Sequence, residues 1–99
     1  MNVTKQQRAF YRKLYLSHLI SNGEHNVRSL HLLTGMPRRT LQDTIKDLSD
    51  IGISCHFEQQ EGGRNNAGIY RIDDWGPIRP EWVSDQLPEL TEALGVCEA

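Results

Sequence analysis

Hydrophobic residues near the start of the chain recur at the spacing of an α-helix. Three pairs stand four positions apart: Phe10 with Leu14, Tyr15 with Leu19, and Leu16 with Ile20. This spacing predicts a first helix from about Lys5 to Ser21, ended by Gly23. Because the three pairs point in different directions, apolar side chains cover a wide arc of the helix surface. Covering it requires the C-terminal segment, a second subunit, or both.

Two further helices are predicted on either side of a glycine turn. Asn26 is a good N-cap for a short second helix, which Gly35 ends. The third helix starts at or just after Pro37, and Gly52 takes its C-terminal cap position. Each helix has one apolar stripe, formed by Val27, Leu30 and Leu33 in the second and by Leu41, Ile45, Leu48 and Ile51 in the third.

The pattern then changes to the alternation of a strand. In "ISCHFEQ", the residues predicted to point inward are Ile53, Cys55 and Phe57. The segment "EGGRNNAG" has the composition of a loop, and "IYRI" predicts a return strand with Tyr70 and Ile72 inward. Residues 53–72 therefore predict a β-hairpin with a long tip.

Beyond the hairpin, a turn-rich link leads into an acidic segment. Pro80 opens "EWVSDQLPELTEAL", predicted to be helical but broken or kinked near Pro88. We interpret Trp75 and Trp82 as residues that pack this segment back on the domain, with a partner surface as the less favoured alternative. The predicted organisation is one domain over residues 5–79 and a C-terminal helical extension over residues 80–99, which serves packing or dimerisation.

The net charge of −2 hides an asymmetry along the chain. Residues 1–72 hold ten Lys and Arg against six Asp and Glu, whereas residues 73–99 hold one against seven. The first part suits a polyanionic partner and the last part does not.

Two distant cysteines, Cys55 and Cys97, imply no disulfide framework. With no signal peptide or apolar membrane span recognisable, we expect a cytoplasmic protein.

A short helix, a glycine turn and a helix with a polar outer face make a helix-turn-helix. Arginine and glutamine pair bidentately with guanine and adenine in the major groove, and threonine and arginine bind phosphates. On this basis the predicted DNA-binding residues are Arg28, Arg38, Arg39, Thr40, Gln42, Asp43, Lys46 and, at the hairpin tip, Arg64. A solvated helix face is the alternative for an isolated helix, and a plain exposed turn is an equal alternative for Arg64.

Longer motifs carry a resemblance to a family. "LTGMPRRTLQDTIKDLSDIGI" resembles the helix-turn-helix of winged-helix regulators, and "HFEQQEGGRNNAGIYRI" resembles their wing. "MPRRT" together with "RNNAGIYRIDDWGPI" is similar to a small group of uncharacterised prokaryotic winged helix-turn-helix proteins. Over residues 5–78 the resemblance implies an α+β, mainly α fold of three helices and a hairpin wing, here with the C-terminal helical segment added. It implies a recognition helix over about 37–49 and a wing over 53–72.

The leading hypothesis is a DNA-binding transcriptional regulator that binds double-stranded DNA, with a homodimer as the favoured assembly because it doubles the contacted site. A winged-helix protein-interaction module that does not bind DNA is the main alternative. A third hypothesis is an intramolecular switch in which residues 80–99 cover Arg38, Arg39 and Lys46. Histidines and cysteines lack metal-ligand spacing, and no catalytic motif is recognisable. We therefore expect that the protein is not an enzyme. We also expect that it binds no metal, cofactor, small-molecule ligand or membrane.

Overall fold

A computed structural model of the protein describes residues 4–59 and 68–95. Over these ranges the elements follow in the order α1 (Lys5–Ser21), α2 (Val27–Thr34), α3 (Arg38–Lys46), a 3₁₀ segment (Asp47–Ile51), β1 (Ser54–Gln59), β2 (Gly68–Asp74), α4 (Pro80–Asp85) and α5 (Leu87–Leu94). The predicted fold class, α+β and mainly helical, is confirmed. None of the helices in these ranges is long and apolar enough to cross a membrane.

Side-chain caps fix where the first two helices begin. The Thr4 hydroxyl accepts from the Gln7 N–H while the Gln7 side chain accepts from the Thr4 N–H, both at 3.0 Å. Asn26 and Ser29 form the same reciprocal pair before α2, at 2.9 Å in each direction. Such capping boxes satisfy backbone donors that a helix start leaves free. The predicted cap at Asn26 is therefore confirmed.

The third helix is shorter than predicted and continues in a tighter form. Pro37 is the N-cap residue rather than the first helical residue, and the α-helical part ends at Lys46. The chain then runs as the 3₁₀ segment to Gly52, which caps it with φ of 86°. The predicted apolar stripe still faces the interior, because Leu41 and Leu48 are fully buried. Tightening the last turns keeps Leu48 inward while ending the helix at the start of the hairpin.

The two strands form an antiparallel hairpin with Cys55 opposite Ile72 and Phe57 opposite Tyr70. The prediction that Phe57 points into the core is wrong, because its side chain is 44% exposed. Its ring instead packs edge-on against Tyr70, with centroids 5.1 Å apart. Neighbouring residues Gly68 and Ile69 are both buried, so both faces of β2 are covered at that point. Simple alternation therefore fails there.

Helix α1 separates two hydrophobic clusters. One joins Leu16 and Ile20 of α1 to Leu30 of α2 and Leu41 of α3. The other packs Leu14 of α1 against Val83 of α4 and Leu90 of α5. The C-terminal helices thus cover part of the wide apolar arc of α1.

The C-terminal segment is broken near Pro88, as predicted. The break falls at Gln86, and Pro88 lies in the first turn of α5, where proline costs no helical hydrogen bond. Trp75 packs on the cluster around Leu14, as predicted. Trp82 is 48% exposed and lines a groove beside Phe10 and Leu14 of that cluster. The predicted packing role is thus met by Trp75 and only in part by Trp82.

Candidate nucleic-acid interface

The turn between α2 and α3 is held by two side chains of α2. Gly35 adopts φ of 75°, a left-handed conformation that favours glycine. The Nδ1–H of His31 donates to the Met36 carbonyl at 2.7 Å, and the Thr34 hydroxyl accepts from the Met36 N–H at 3.1 Å. These bonds set the path by which the chain enters α3. The sequence reasoning found Gly35 but missed His31, whose i+5 partner has no simple motif.

The start of α3 differs from the starts of α1 and α2. No side chain caps it. As in α1 and α2, its first turn holds no acidic residue. Arg38 and Arg39 occupy the first two helical positions, and both are exposed. The free backbone N–H groups and the positive end of the helix dipole favour an anion at this point. Two arginines add to that positive potential instead of relieving it.

The outer side of α3 is a polar surface, which we call the α3 face. It consists of Arg39, Gln42, Asp43 and Lys46, all four exposed. On the opposite side of the same helix, Leu41 and Thr44 are buried. Over residues 4–59 and 68–95, none of the four side chains of the α3 face forms a hydrogen bond or ion pair. Their donors and acceptors are therefore available to an external partner.

The other predicted contact residues fall in different places. Arg28 is exposed in the first turn of α2. Thr40 is half-buried and lines a groove between α3 and α1 together with Arg12 and Lys13. Asp43 lines the same groove. Arg64 lies outside the described residues. The structure thus brings Arg39, Gln42, Asp43 and Lys46 together, with Arg38 beside them at the helix start, and turns Thr40 toward α1.

A cleft of about 390 Å³ connects the α3 face to the hairpin. Its polar lining includes Lys46 and Ser49 from one side and Ser54 and His56 from β1. Cys55 also lines it, and burial, followed by the charge of Asp73, raises the pKa of the Cys55 thiol to about 11. The thiol is therefore protonated at neutral pH.

A hydrogen bond and an ion pair cross the exposed face of the hairpin. The Nδ1–H of His56 donates to Oδ2 of Asp73 at 2.7 Å, and Nε of Arg71 donates to Oε2 of Glu58 at 2.9 Å. Exposed pairs of this kind contribute little to stability, roughly 0–1 kcal/mol. Glu58 offsets the positive charge that Arg71 would otherwise present on the hairpin. The sequence reasoning missed both pairs because they depend on the register between the strands.

The hairpin is also tied to the start of α2. The Tyr70 N–H donates to the His25 carbonyl at 2.8 Å. The His25 ring lies against the α2 cap, with its Nδ1 3.0 Å from the Ser29 hydroxyl oxygen. Burial lowers the pKa of His25, so the neutral ring is favoured at this junction. The backbone bond fixes the position of β2 relative to the helix-turn-helix.

The C-terminal helices leave the α3 face uncovered. Through residue 95 the chain packs against α1 in the cluster around Leu14 and Val83, while Arg38, Arg39 and Lys46 remain exposed. Within the described ranges, no three His, Cys, Asp or Glu side chains lie close enough together to hold a metal ion. The surface available to a partner is thus one of hydrogen-bonding and charged side chains.

Comparison with known proteins agrees with this architecture. Residues 5–94 match the sequence model of the winged helix-turn-helix family. The structure is similar to that of a DUF2131 family protein from Shewanella amazonensis SB2B, with 53% sequence identity and a TM-score of 0.90 over 97% of this chain and 92% of that one. Among curated proteins, none matches the sequence. The chain belongs to the winged helix-turn-helix family.

Proposed function

We propose that the protein is a cytoplasmic DNA-binding transcriptional regulator. In this proposal α3 enters the major groove, and the hairpin wing lies on the flanking backbone or in the minor groove. The observation that carries the proposal is the start of α3, which has no side-chain cap and bears two exposed arginines, whereas α1 and α2 begin with capping boxes. A phosphate or a guanine edge would supply the anionic or acceptor partner that the protein itself does not provide.

The α3 face supports a role in reading bases. Arg39 would donate to guanine and Gln42 would pair with adenine, while Asp43 would accept from the cytosine amino group. Arg28, Arg38, Thr40 and Lys46 would contact phosphates, with Arg64 reaching the DNA from the wing. Base contacts give sequence preference, whereas phosphate contacts give salt-dependent affinity. We propose no catalytic activity and no cofactor.

Two copies would suit this function better than one. A single small winged helix contacts few base pairs, and a homodimer would double the site and match a palindromic operator. Residues 80–95 lie on the side of α1 away from the cluster that holds α3. A dimer built through that side would leave both α3 faces open to DNA.

The test is a fluorescence-anisotropy titration of duplex DNA at low and at physiological salt. We expect binding that weakens steeply with salt, because displaced counterions oppose it. Arg38→Ala/Arg39→Ala should lose about tenfold or more in affinity, and Arg39→Ala alone should cost roughly 1–3 kcal/mol on a cognate site. Lys5→Ala/Arg8→Ala removes the same charge from exposed positions on α1 and is the matched control.

Two outcomes would contradict the proposal. If the wild-type protein fails to bind DNA even at low salt, the alternative of a protein-interaction winged helix takes its place. If both double variants lose affinity equally, binding follows total charge and not the start of α3.

A further inference from the structure

The groove between α1 and α3 has charges of opposite sign on its two walls. Arg12 and Lys13 of α1 supply the positive wall, whereas Asp43 of α3 and Asp47 of the 3₁₀ segment supply the negative one. The volume of the groove is about 210 Å³. Pockets for drug-sized ligands have roughly 300–1,000 Å³, so this groove suits a smaller molecule.

The two walls are not joined to each other by their charges. Among residues 4–59 and 68–95, none of these four side chains takes part in an ion pair or a hydrogen bond. Arg12 and Lys13 are both half-buried. These cations have therefore lost part of their hydration without gaining a protein partner, and a ligand that supplies the missing partner would be favoured.

A buried hydroxyl group in the same groove also lacks a partner. Thr44 lines the groove and is only 7% exposed. Its side chain makes no hydrogen bond to any residue that the structure describes, whereas the hydroxyls of Thr34 and Thr91 donate to carbonyls four residues earlier in their helices. A buried hydroxyl without a partner destabilises a folded protein. Thr44 therefore points to a hydrogen-bonding group from outside the chain.

We propose that this groove binds a small zwitterion, an α-amino acid. Its carboxylate accepts from Arg12 and Lys13, its ammonium group donates to Asp43 and Asp47, and the Thr44 hydroxyl pairs with either end. A phosphate or another simple anion would meet the two carboxylates, and a simple cation would meet the arginine and the lysine. Only a molecule that carries both charges satisfies both walls.

Amino-acid binding goes beyond the proposed DNA binding and does not rest on it, because it is measured without DNA. It departs from the expectation, based on sequence motifs, that the protein binds no small molecule. The walls come from helices far apart in the sequence, which motifs do not bring together. Since Thr40 and Asp43 line the groove and are also proposed DNA contacts, a bound amino acid competes with DNA for them.

Isothermal titration calorimetry of the full-length protein with each of the common L-amino acids tests the site. At least one should bind at millimolar concentration or below, with one molecule per chain. Its N-acetyl and carboxamide derivatives each lack one of the two charges and should bind about tenfold more weakly or worse. Arg12→Ala and Asp47→Asn should weaken binding by a similar factor, because each removes a charge-assisted hydrogen bond.

Arg79→Ala and Asp85→Asn are the matched controls, because they remove the same charges from exposed positions outside the groove. Far-UV circular dichroism verifies that each variant is folded. Thr44→Val separates ligand binding from folding. It removes an unpartnered hydroxyl at nearly constant volume, so the free protein should be at least as thermally stable as the wild type while its affinity for the amino acid falls.

Three results would overturn the proposal. The first is that no amino acid binds at millimolar concentration. The second is that inorganic phosphate binds the groove as tightly as the best amino acid does, since a single charge would then suffice. The third is that Arg12→Ala and Asp47→Asn bind the amino acid as tightly as the two control variants.

Discussion

Gly76 is held at a point where there is no room for a side chain. It adopts φ of 59°, and a Cβ atom placed on it would lie 2.1 Å from the Gly52 carbonyl oxygen. The Gly76 N–H also donates to Oδ1 of Asp74 at 2.8 Å, which closes the turn after β2. The link to α4 thus passes directly over the end of the 3₁₀ segment.

Gly76→Ala should therefore be strongly destabilising. We expect a loss of about 2–4 kcal/mol in the free energy of unfolding, from the clash with backbone and the positive φ together. Urea denaturation measures it. Gly35→Ala is the control, because Gly35 also has positive φ but has no atom within 4 Å of the added Cβ. It should cost only about 1 kcal/mol. Equal losses in the two variants would show that the close approach contributes nothing.

At the level of elements, the local signals predicted the helices well and the strands less well. Asn26, Gly35 and Gly52 act through nearest neighbours in the chain, and each has the predicted role. Whether Phe57 is buried depends instead on what covers the hairpin, which alternation does not encode. The break at Gln86, close to Pro88 as predicted, lets both α4 and α5 reach the cluster on α1.

For the candidate site too, some features could be predicted from the sequence and others could not. The exposure of Arg38, Arg39, Gln42 and Lys46 followed from the apolar stripe of the third helix, since the opposite face must point to solvent. The position of Thr40 beside α1 and the cross-strand pairs of the hairpin did not follow. They depend on how separate elements meet, which only the folded chain defines.

The turn that orients α3 carries a prediction of its own. His31→Ala removes the donor to the Met36 carbonyl, which lies 2.7 Å from Nδ1. We expect a loss of about 1–2 kcal/mol in stability, because a half-buried carbonyl loses its partner. Thermal unfolding measures the loss. Leu32→Ala, on the exposed side of the same helix, should change stability by less than about 0.5 kcal/mol. A His31 variant as stable as that control would contradict the role of the bond.

For the whole molecule, the shared helix α1 predicts that the C-terminal helices unfold together with the rest. Leu90 is 1% exposed and packs in the cluster with Leu14 and Val83. Leu90→Ala should therefore cost about 2–5 kcal/mol. In calorimetry the variant should show one transition at lower temperature. Two separate transitions would show instead that residues 80–95 form an independent unit, as the predicted boundary at residue 80 would allow.

The uneven charge along the chain affects how the protein approaches a charged partner, as well as how it contacts one. Positive charge predominates up to residue 72 and negative charge beyond it, and the negative helices α4 and α5 are anchored on the side of α1 away from α3. The protein is therefore an electric dipole. In the field of a polyanion such a dipole experiences a torque that turns its positive end forward while the molecules are still apart. Orientation would then precede collision, and a larger share of collisions would be productive.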